Sequence, residues 1–278
     1  MNNKTTQFAG SIPEQYDTHL GPLLFEFSGK DLAMRLAGRV PPNGTLLEIA
    51  CGTGISTEFL RQALPDSVSI VATDLSEAML AVAQHKRGGL PNVTYMVADV
   101  TDLPFADNSF DAVACQFGIM FFPDKLRGLR EIRRVMKPGA VLVFNVWDSV
   151  EHNQIITTVQ KAIEEFFEKP SNFFETPFGF FDVAHIEELM ERAGFEEVQS
   201  FIVSATIERP DALSIAKGFV EGSPLMLEIR EQTQADSDEV TKTVAQAIES
   251  AYGAEPKVSL QEIVFTAVKA ADIEELIK

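Results

Sequence analysis

From about residue 46 the chain alternates short apolar runs with longer stretches of helical periodicity, the rhythm of βα units that feed a mostly parallel sheet. Runs rich in β-branched and aromatic residues predict strands over 45–50 (TLLEIA), 69–73 (SIVAT), 93–98 (VTYMVA), 110–116 (FDAVACQ) and 140–147 (AVLVFNVW). Between them, 56–63, 76–85 and 124–136 read as helices, the last carrying Leu126, Leu129, Ile132 and Val135 at helical spacing. The pattern is that of an α/β, doubly wound core, and such sheets bind ligands beyond the carboxyl ends of their strands.

After Trp147 the rhythm changes. A helical stretch runs to Lys169, a phenylalanine-dense segment follows, and a helix over 182–193 is closed by Gly194 as its stop signal. Residues 197–207 read as a sixth strand and 262–268 as a seventh, separated by a mainly helical segment that Pro210, Pro224 and Pro256 interrupt. The stretch 211–257 is too long for a hairpin connection and predicts a helical cap. The expected division is an N-terminal helical lid at 1–40, a ligand-binding core at 41–150, and the remaining sheet at 151–278 with insertions at about 151–181 and 209–258. No internal repeat or low-complexity segment interrupts this plan.

Composition narrows the partners. The chain has 278 residues and a formal net charge of −18, which would repel a phosphate backbone, so nucleic acid is not the expected partner. The charge is uneven: residues 1–150 hold 13 basic and 16 acidic side chains, the rest 10 and 25. Two cysteines, Cys51 and Cys115, supply neither a disulfide framework nor a four-ligand zinc site; no metal site is expected, and both read as small buried hydrophobes. No run approaches a membrane span and the N-terminus lacks a signal peptide's apolar core, so the expected location is the cytoplasm.

The first strand runs into Glu48-Ile49-Ala50-Cys51-Gly52-Thr53-Gly54 just before a helix. Glycines at such a turn let backbone approach a ligand and present N–H groups at a helix N-terminus. The loop departs from the dinucleotide fingerprint, with Thr57 where a third glycine is expected. Asp74 ends the second strand, where a carboxylate can accept both ribose hydroxyls of an adenosine, and Asp99 follows the third. With Glu48 these make a row of carboxylates suited to hydroxyls, an exocyclic amine and a cationic centre.

The segments LLEIACGTGIST, VATDLSEAML, ADVTDLPFADNSFDAV and LREIRRVMKPGAVLVF, in this order and spacing, resemble the class I S-adenosylmethionine (SAM) dependent methyltransferases, closest to the small-molecule type 11 group that includes quinone-biosynthesis C-methyltransferases. The likeness covers roughly residues 40–150. It departs from the family at Ala50 and Ala140, where glycine is more usual. The resemblance implies a seven-stranded Rossmann-like sheet with SAM as cofactor. It also implies roles: Gly52 and Gly54, with Ala50 and Glu48 beside them, pass the methionine moiety; Asp74 holds the ribose; Leu75 and Met79 flank the adenine. Asp99 would accept from the adenine amino group beside the Val100 N–H, Gln116 would meet the methionine ammonium, and Tyr16 would close the site from above.

Other features have two readings. Lys125, Arg127, Arg130, Arg133, Arg134 and Lys137 crowd one helix and alternate with its apolar stripe, which favours a solvated outer face over an anion site. Seven rings between Phe166 and Phe181 are either core or the lining of an acceptor pocket; Phe173, Phe178 and Phe181 are the candidates for the pocket. His152 and His19 are the candidate bases, whereas His85 and His185 read as ordinary surface residues. The expectation is a methyltransferase acting on a small apolar or aromatic acceptor. Its rivals are a nicotinamide-dependent oxidoreductase, which the loop pattern disfavours, and a SAM-binding protein without turnover.

Overall fold

The computed structural model describes residues 8–208 and 211–270. Pro210 and the first seven residues of the 1–40 segment lie outside them. In chain order the elements are α1 (Ile12–Gln15), a π-helical stretch (Tyr16–Phe25), α2 (Glu26–Leu36), β1 (Thr45–Ile49), α3 (Ile55–Ala63), β2 (Ser69–Asp74), α4 (Glu77–Arg87), β3 (Val93–Val97) and β4 (Phe110–Gln116). A 3₁₀ turn (Ile119–Phe121), α5 (Lys125–Val135), β5 (Met136–Trp147), α6 (Gln154–Glu164), α7 (Glu175–Phe178) and α8 (Val183–Arg192) follow. The chain continues through β6 (Phe195–Glu208), α9 (Ala212–Glu221), α10 (Leu225–Gln232), α11 (Ser237–Tyr252) and β7 (Lys257–Lys269).

The seven strands form one sheet in the order β3-β2-β1-β4-β5-β7-β6. The pairings β1–β2, β2–β3, β1–β4 and β4–β5 are parallel, and the sheet as a whole is mixed. Leu46, Leu47, Glu48 and Ile49 are buried in succession along β1, as a strand covered on both faces requires. Chain order reverses at β1, which lies between β2 and β4, and a crevice beyond the strand ends opens at such a switch point. The register Ile49–Thr73 and Gln116–Asn145 brings the carboxyl ends of β1, β2, β4 and β5 to one edge.

Most strand expectations hold to within two residues; β5 and β7 are the exceptions, beginning four and five residues before the expected 140 and 262. β5 begins at Met136, where Phe110 pairs with it, and the ladder resumes at Ala112–Val141 after an irregularity that holds Gly139 at φ 79°. The strand expected from Ala140 thus begins before Pro138-Gly139, with backbone pairing on either side of that dipeptide.

The chain divides into two compact units. The sheet unit comprises Ser28–Val146, Phe181–Ile202 and residues from Ile263; the helical unit comprises residues to Phe27, Trp147–Phe180 and Val203–Glu262. In the helical unit the segment read as a cap resolves into α9, α10 and α11; α11 packs on α6 and α9, and α9 packs on the π-helical stretch.

In the sheet unit α5 packs on α8, burying Leu129, Ile132 and Val135 as its periodicity predicted, while Leu126, the first of that stripe, is half-buried. Its basic residues are more than a solvated face. Arg127 donates to the Thr101 carbonyl, Arg133 to that of Gly194, Arg134 to Glu131, Asp107 and two carbonyls, Lys137 to Asp111, and Lys125 to the Met120 and Phe122 carbonyls. Long cationic side chains with several donors satisfy loop carbonyls that no strand reaches.

Candidate active site

Between β1 and α3 the backbone enters the left-handed region three times in five residues, at Ala50 (φ 55°), Gly52 (φ 56°) and Gly54 (φ 84°). Glycine adopts that conformation freely; alanine does so at a cost. The turn is closed by the Gly54 N–H on the Cys51 carbonyl (2.9 Å) and tied to β2 by the Cys51 N–H on the Thr73 carbonyl (2.9 Å). The Gly52 N–H donates to Asp74 Oδ2 at 2.8 Å.

Ala50, the departure from the family's glycine, is accommodated from the next strand. A methyl placed on Gly118 would lie 2.5 Å from the Ala50 Cβ, so an unsubstituted residue at 118 leaves room for the side chain at 50. Phe117, just before it, is itself held at φ 49°, its N–H donating to Asn145 Oδ1 at 2.9 Å. Two strained non-glycine residues thus stand at the ends of adjacent strands, a concentration of strain typical of functional sites.

Glu48 supports the loop from below. It is 1% exposed, and its carboxylate accepts from the Ser56 hydroxyl and, at 2.6 Å, from the Thr57 hydroxyl, both in the first turn of α3. Burial pushes its carboxyl up to about 7, against the pull of those two hydroxyls; Asp74 adds to the rise and Arg87 opposes it. Both oxygens are committed to α3, a placement that the spacing of carboxylates along the strands could not reveal.

Asp74, at the end of β2, accepts the Ser76 N–H on Oδ1 at 2.8 Å in addition to Gly52 on Oδ2. Burial raises its pKa, and the backbone donors at 76 and 52 oppose the rise. Beside it Leu75 is 68% exposed, an open apolar surface, while Met79 is buried with its methyl 3.3 Å from where a Cβ on Gly52 would lie. Asp99 is exposed and turns Oδ1 to the Thr101 N–H and hydroxyl, both at 2.8 Å; Val100 is buried. Gln116 ends β4 buried, with Oε1 3.2 Å from where a Cβ on Gly29 of α2 would lie. The strand ends therefore carry Asp99, Asp74, Ala50 and Gln116 in the spatial order β3, β2, β1, β4.

The remaining candidates lie in the helical unit, apart from Phe181. Tyr16 stacks on Phe25 with ring centroids 4.7 Å apart. His19 Nδ1 lies 3.0 Å from the Ser214 hydroxyl, and burial, then the nearby Lys217, lowers its pKa, which favours the neutral ring. His152 is 55% exposed, with Nδ1 3.5 Å from the buried Asp148 carboxylate and 3.3 Å from the Ser149 hydroxyl.

The phenylalanine segment does not act as one lining. Phe178 is 6% exposed and stacks on Trp147 at 5.7 Å, and Phe174 is buried against Phe178 and Phe219. Phe178 is therefore core, and Phe181, 39% exposed, belongs to the sheet unit. A cleft of about 770 Å³ in the helical unit has Phe173 as the one ring among its described lining residues, and its walls are mostly acidic and amide side chains, among them Glu168, Glu228 and Glu231.

Cys51 packs against Ala72 and Leu80, and burial pushes its thiol well above its ordinary value and that of Cys115 to about 12, so neither is a ready nucleophile. Among the described residues no group of three His, Cys, Asp or Glu side chains could hold a metal ion, and no helix is long and apolar enough to cross a membrane. One residue that touches the loop escaped the sequence reading altogether: Arg87, at the end of α4, donates to the Thr53 carbonyl at 3.0 Å across 34 residues, a contact with no local pattern to announce it.

Comparison with known proteins bears on this geometry. Residues 47–144 match the family model described as methyltransferase domain. Residues 47–144 are a class I SAM-dependent methyltransferase domain. Over 97 residues the chain is 41% identical to the demethylmenaquinone methyltransferase of Staphylococcus aureus strain MRSA252, an alignment covering 35% of this chain and 40% of that protein. Among solved structures, phosphoethanolamine N-methyltransferase 2 of Haemonchus contortus, in complex with phosphomonomethylethanolamine and S-adenosylhomocysteine, aligns over 98% of this chain and 61% of its own with a TM-score of 0.62 and 18% identity. The YcgJ protein of Bacillus subtilis aligns over 88% of this chain and all of its own with a TM-score of 0.58 and 15% identity. At these identities the structures share the fold. The methyltransferase domain thus accounts for the glycine loop and the strand-end row, while the helical unit lies outside the matched residues.

Proposed function

We propose that the protein transfers a methyl group from SAM to a small, apolar or aromatic acceptor. One observation carries the cofactor assignment: the loop from Ala50 to Gly54 is fixed to Asp74 through the Gly52 N–H, beside the open apolar surface of Leu75. A carboxylate, a glycine turn and an exposed apolar side chain at one switch point suit an adenosine with an unphosphorylated ribose. The proposal extends to charge: Asp74 at the strand end and Glu48, buried behind the loop, would offset the positive charge of the cofactor.

When bound, SAM supplies an electrophilic methyl group on a sulfonium. The chain's own residues position it. Asp74 would hold the ribose hydroxyls with the lone pairs that Gly52 and Ser76 leave over; Leu75 and Met79 would flank the adenine; Asp99 and the Val100 N–H would meet its edge. Gln116 and the glycine turn would hold the methionine end. Methyl transfer is an in-line displacement, so positioning and exclusion of water are the protein's main contributions.

An acceptor that loses a proton also needs a base. His152 is suited: with its Nδ1 side toward Asp148 and Ser149, its other ring nitrogen is left as a proton acceptor. His19, the other candidate, faces Ser214. The likeness to a demethylmenaquinone methyltransferase supports a flat aromatic acceptor, and Phe173 is the candidate ring for contacting it. Incubation with SAM and a panel of aromatic acceptors, read by mass spectrometry, tests the activity. A product heavier by one methylene, formed with stoichiometric S-adenosylhomocysteine, is expected; cofactor binding with no product from any acceptor would favour a binding protein without turnover.

A further inference from the structure

The glycine loop is pinned from its underside by a residue with no counterpart in the four family segments. Arg87, in the last turn of α4, donates from one Nη to the Thr53 carbonyl at 3.0 Å and from Nε to Glu58 of α3 at 3.1 Å. Its side chain is largely buried, and it presses on the loop: a Cβ at Gly54 would lie 3.1 Å from Arg87 Cδ, 3.2 Å from the Tyr95 hydroxyl and 3.3 Å from the Ala83 Cβ. The peptide between Thr53 and Gly54 is thereby held at both ends, its carbonyl by Arg87 and its N–H by the Cys51 carbonyl. A flip of that peptide, the cheapest way for a glycine turn to change shape, would break both bonds at once.

We infer that Arg87 is a positioning residue for the cofactor, fixing the peptide 53–54 so that the turn keeps one shape whether or not ligand is bound. The inference rests on the cofactor reading above. Rigid pre-organisation lowers the ordering cost of binding, so its loss weakens the ligand without unfolding the domain. The guanidinium has a second effect, because it is the cationic group facing Glu48. The other groups facing that carboxyl are Asp74 on β2, Tyr95 on β3, Cys51 in the loop and Cys115 on β4. Burial keeps Tyr95 and both thiols neutral through the physiological range. A cationic ligand prefers an ionised Glu48, and removing Arg87 makes that ionisation harder.

The test is calorimetric titration of SAM into wild type, Arg87→Met and Arg87→Lys from pH 6 to 9, with Glu48→Gln as reference for the acid limb. Arg87→Met is expected to bind roughly tenfold more weakly than wild type. Its affinity should also fall off at a higher pH than that of wild type. Arg87→Lys, which restores the charge and one donor, should recover most of the affinity and the wild-type pH midpoint. In Glu48→Gln the acid limb should vanish. Equal affinity of Arg87→Met and wild type at every pH would overturn the inference. So would equal weakening in the Met and Lys variants with an unmoved midpoint, since that is the mark of a merely structural arginine. Failure of the wild type to bind SAM would overturn the cofactor reading itself.

Discussion

Tyr16 and Phe25 stack with ring centroids 4.7 Å apart and planes 21° from parallel, although nine positions separate them in the chain. In an α-helix nine residues make about two and a half turns and would put the rings on opposite faces. The stretch is π-helical, with the Glu26 N–H bonded to the Gly21 carbonyl, and its slower winding brings the two rings to one face. The ring contacts continue edge-to-face to Phe8 at one end, and at the other through Phe25, tilted against Trp147, to Phe178 stacked on Trp147. Tyr16→Ala should destabilise the helical unit by about 1–2 kcal/mol, the worth of an aromatic pair and some buried area. Tyr16→Phe should cost little. Denaturant unfolding checks both, and equal losses would show that the hydroxyl, not the stack, matters.

Ala50 and Gly118 form a compensating pair. Ala50→Gly removes a left-handed alanine and should raise stability by about 1 kcal/mol. Gly118→Ala should cost more than about 2 kcal/mol, because its methyl would meet both Ala50 Cβ (2.5 Å) and Cys115 Sγ (2.7 Å). In the double variant the loss should shrink without disappearing, since only the first clash is relieved. Thermal unfolding of the three variants decides it; strict additivity would mean that the two sites do not interact.

Two of the three pocket candidates, Phe178 and Phe181, should behave differently. Phe178→Ala deletes a ring stacked on Trp147 and should cost about 3–5 kcal/mol, whereas Phe181→Ala, at 39% exposure, should cost under about 1.5 kcal/mol. Chemical denaturation of the single variants separates them, and a small loss for Phe178→Ala would remove it from the core.

Glu48 makes the domain's stability depend on pH. Its folded pKa, about 7, lies above the ordinary 4.5, so the folded state keeps a proton that the unfolded state releases. That contribution is full below pH 4.5 and fades as pH rises toward 7, by on the order of 3 kcal/mol. Without ligand the protein should therefore lose stability between about pH 5 and 7, and Glu48→Gln should flatten the curve. Melting curves across that range check it; a wild-type slope retained in Glu48→Gln would assign the effect to other groups, Asp74 first.

Much of this was legible in the sequence because it is local. The strand 110–116 was read to the residue, since β-branched and aromatic residues bounded by turn signals define a buried strand without help from the rest of the chain. Asp74 and the glycines declare themselves by position at strand ends. Glu48 shows the limit: its place on β1 was plain, but its direction depends on Ser56 and Thr57 arriving from α3. Arg87 was invisible for the same reason, because its partner carbonyl belongs to backbone that any residue could supply. The phenylalanines could not be sorted into core and surface, since what buries Phe178 is Trp147, thirty-one positions earlier. The π-helical winding under Tyr16 leaves no composition signal at all.

The central claim is that the cofactor sits at the switch point with its ribose on Asp74. Calorimetric titration of SAM into wild type and Asp74→Ala, both shown to be folded by circular dichroism, tests it most directly. The account predicts one SAM per wild-type chain and an affinity for Asp74→Ala weaker by about 1.5–3 kcal/mol, the worth of hydrogen bonds to a charged group. An unchanged dissociation constant in Asp74→Ala would contradict it, and would remove the ribose, and with it the whole ligand, from this end of the sheet.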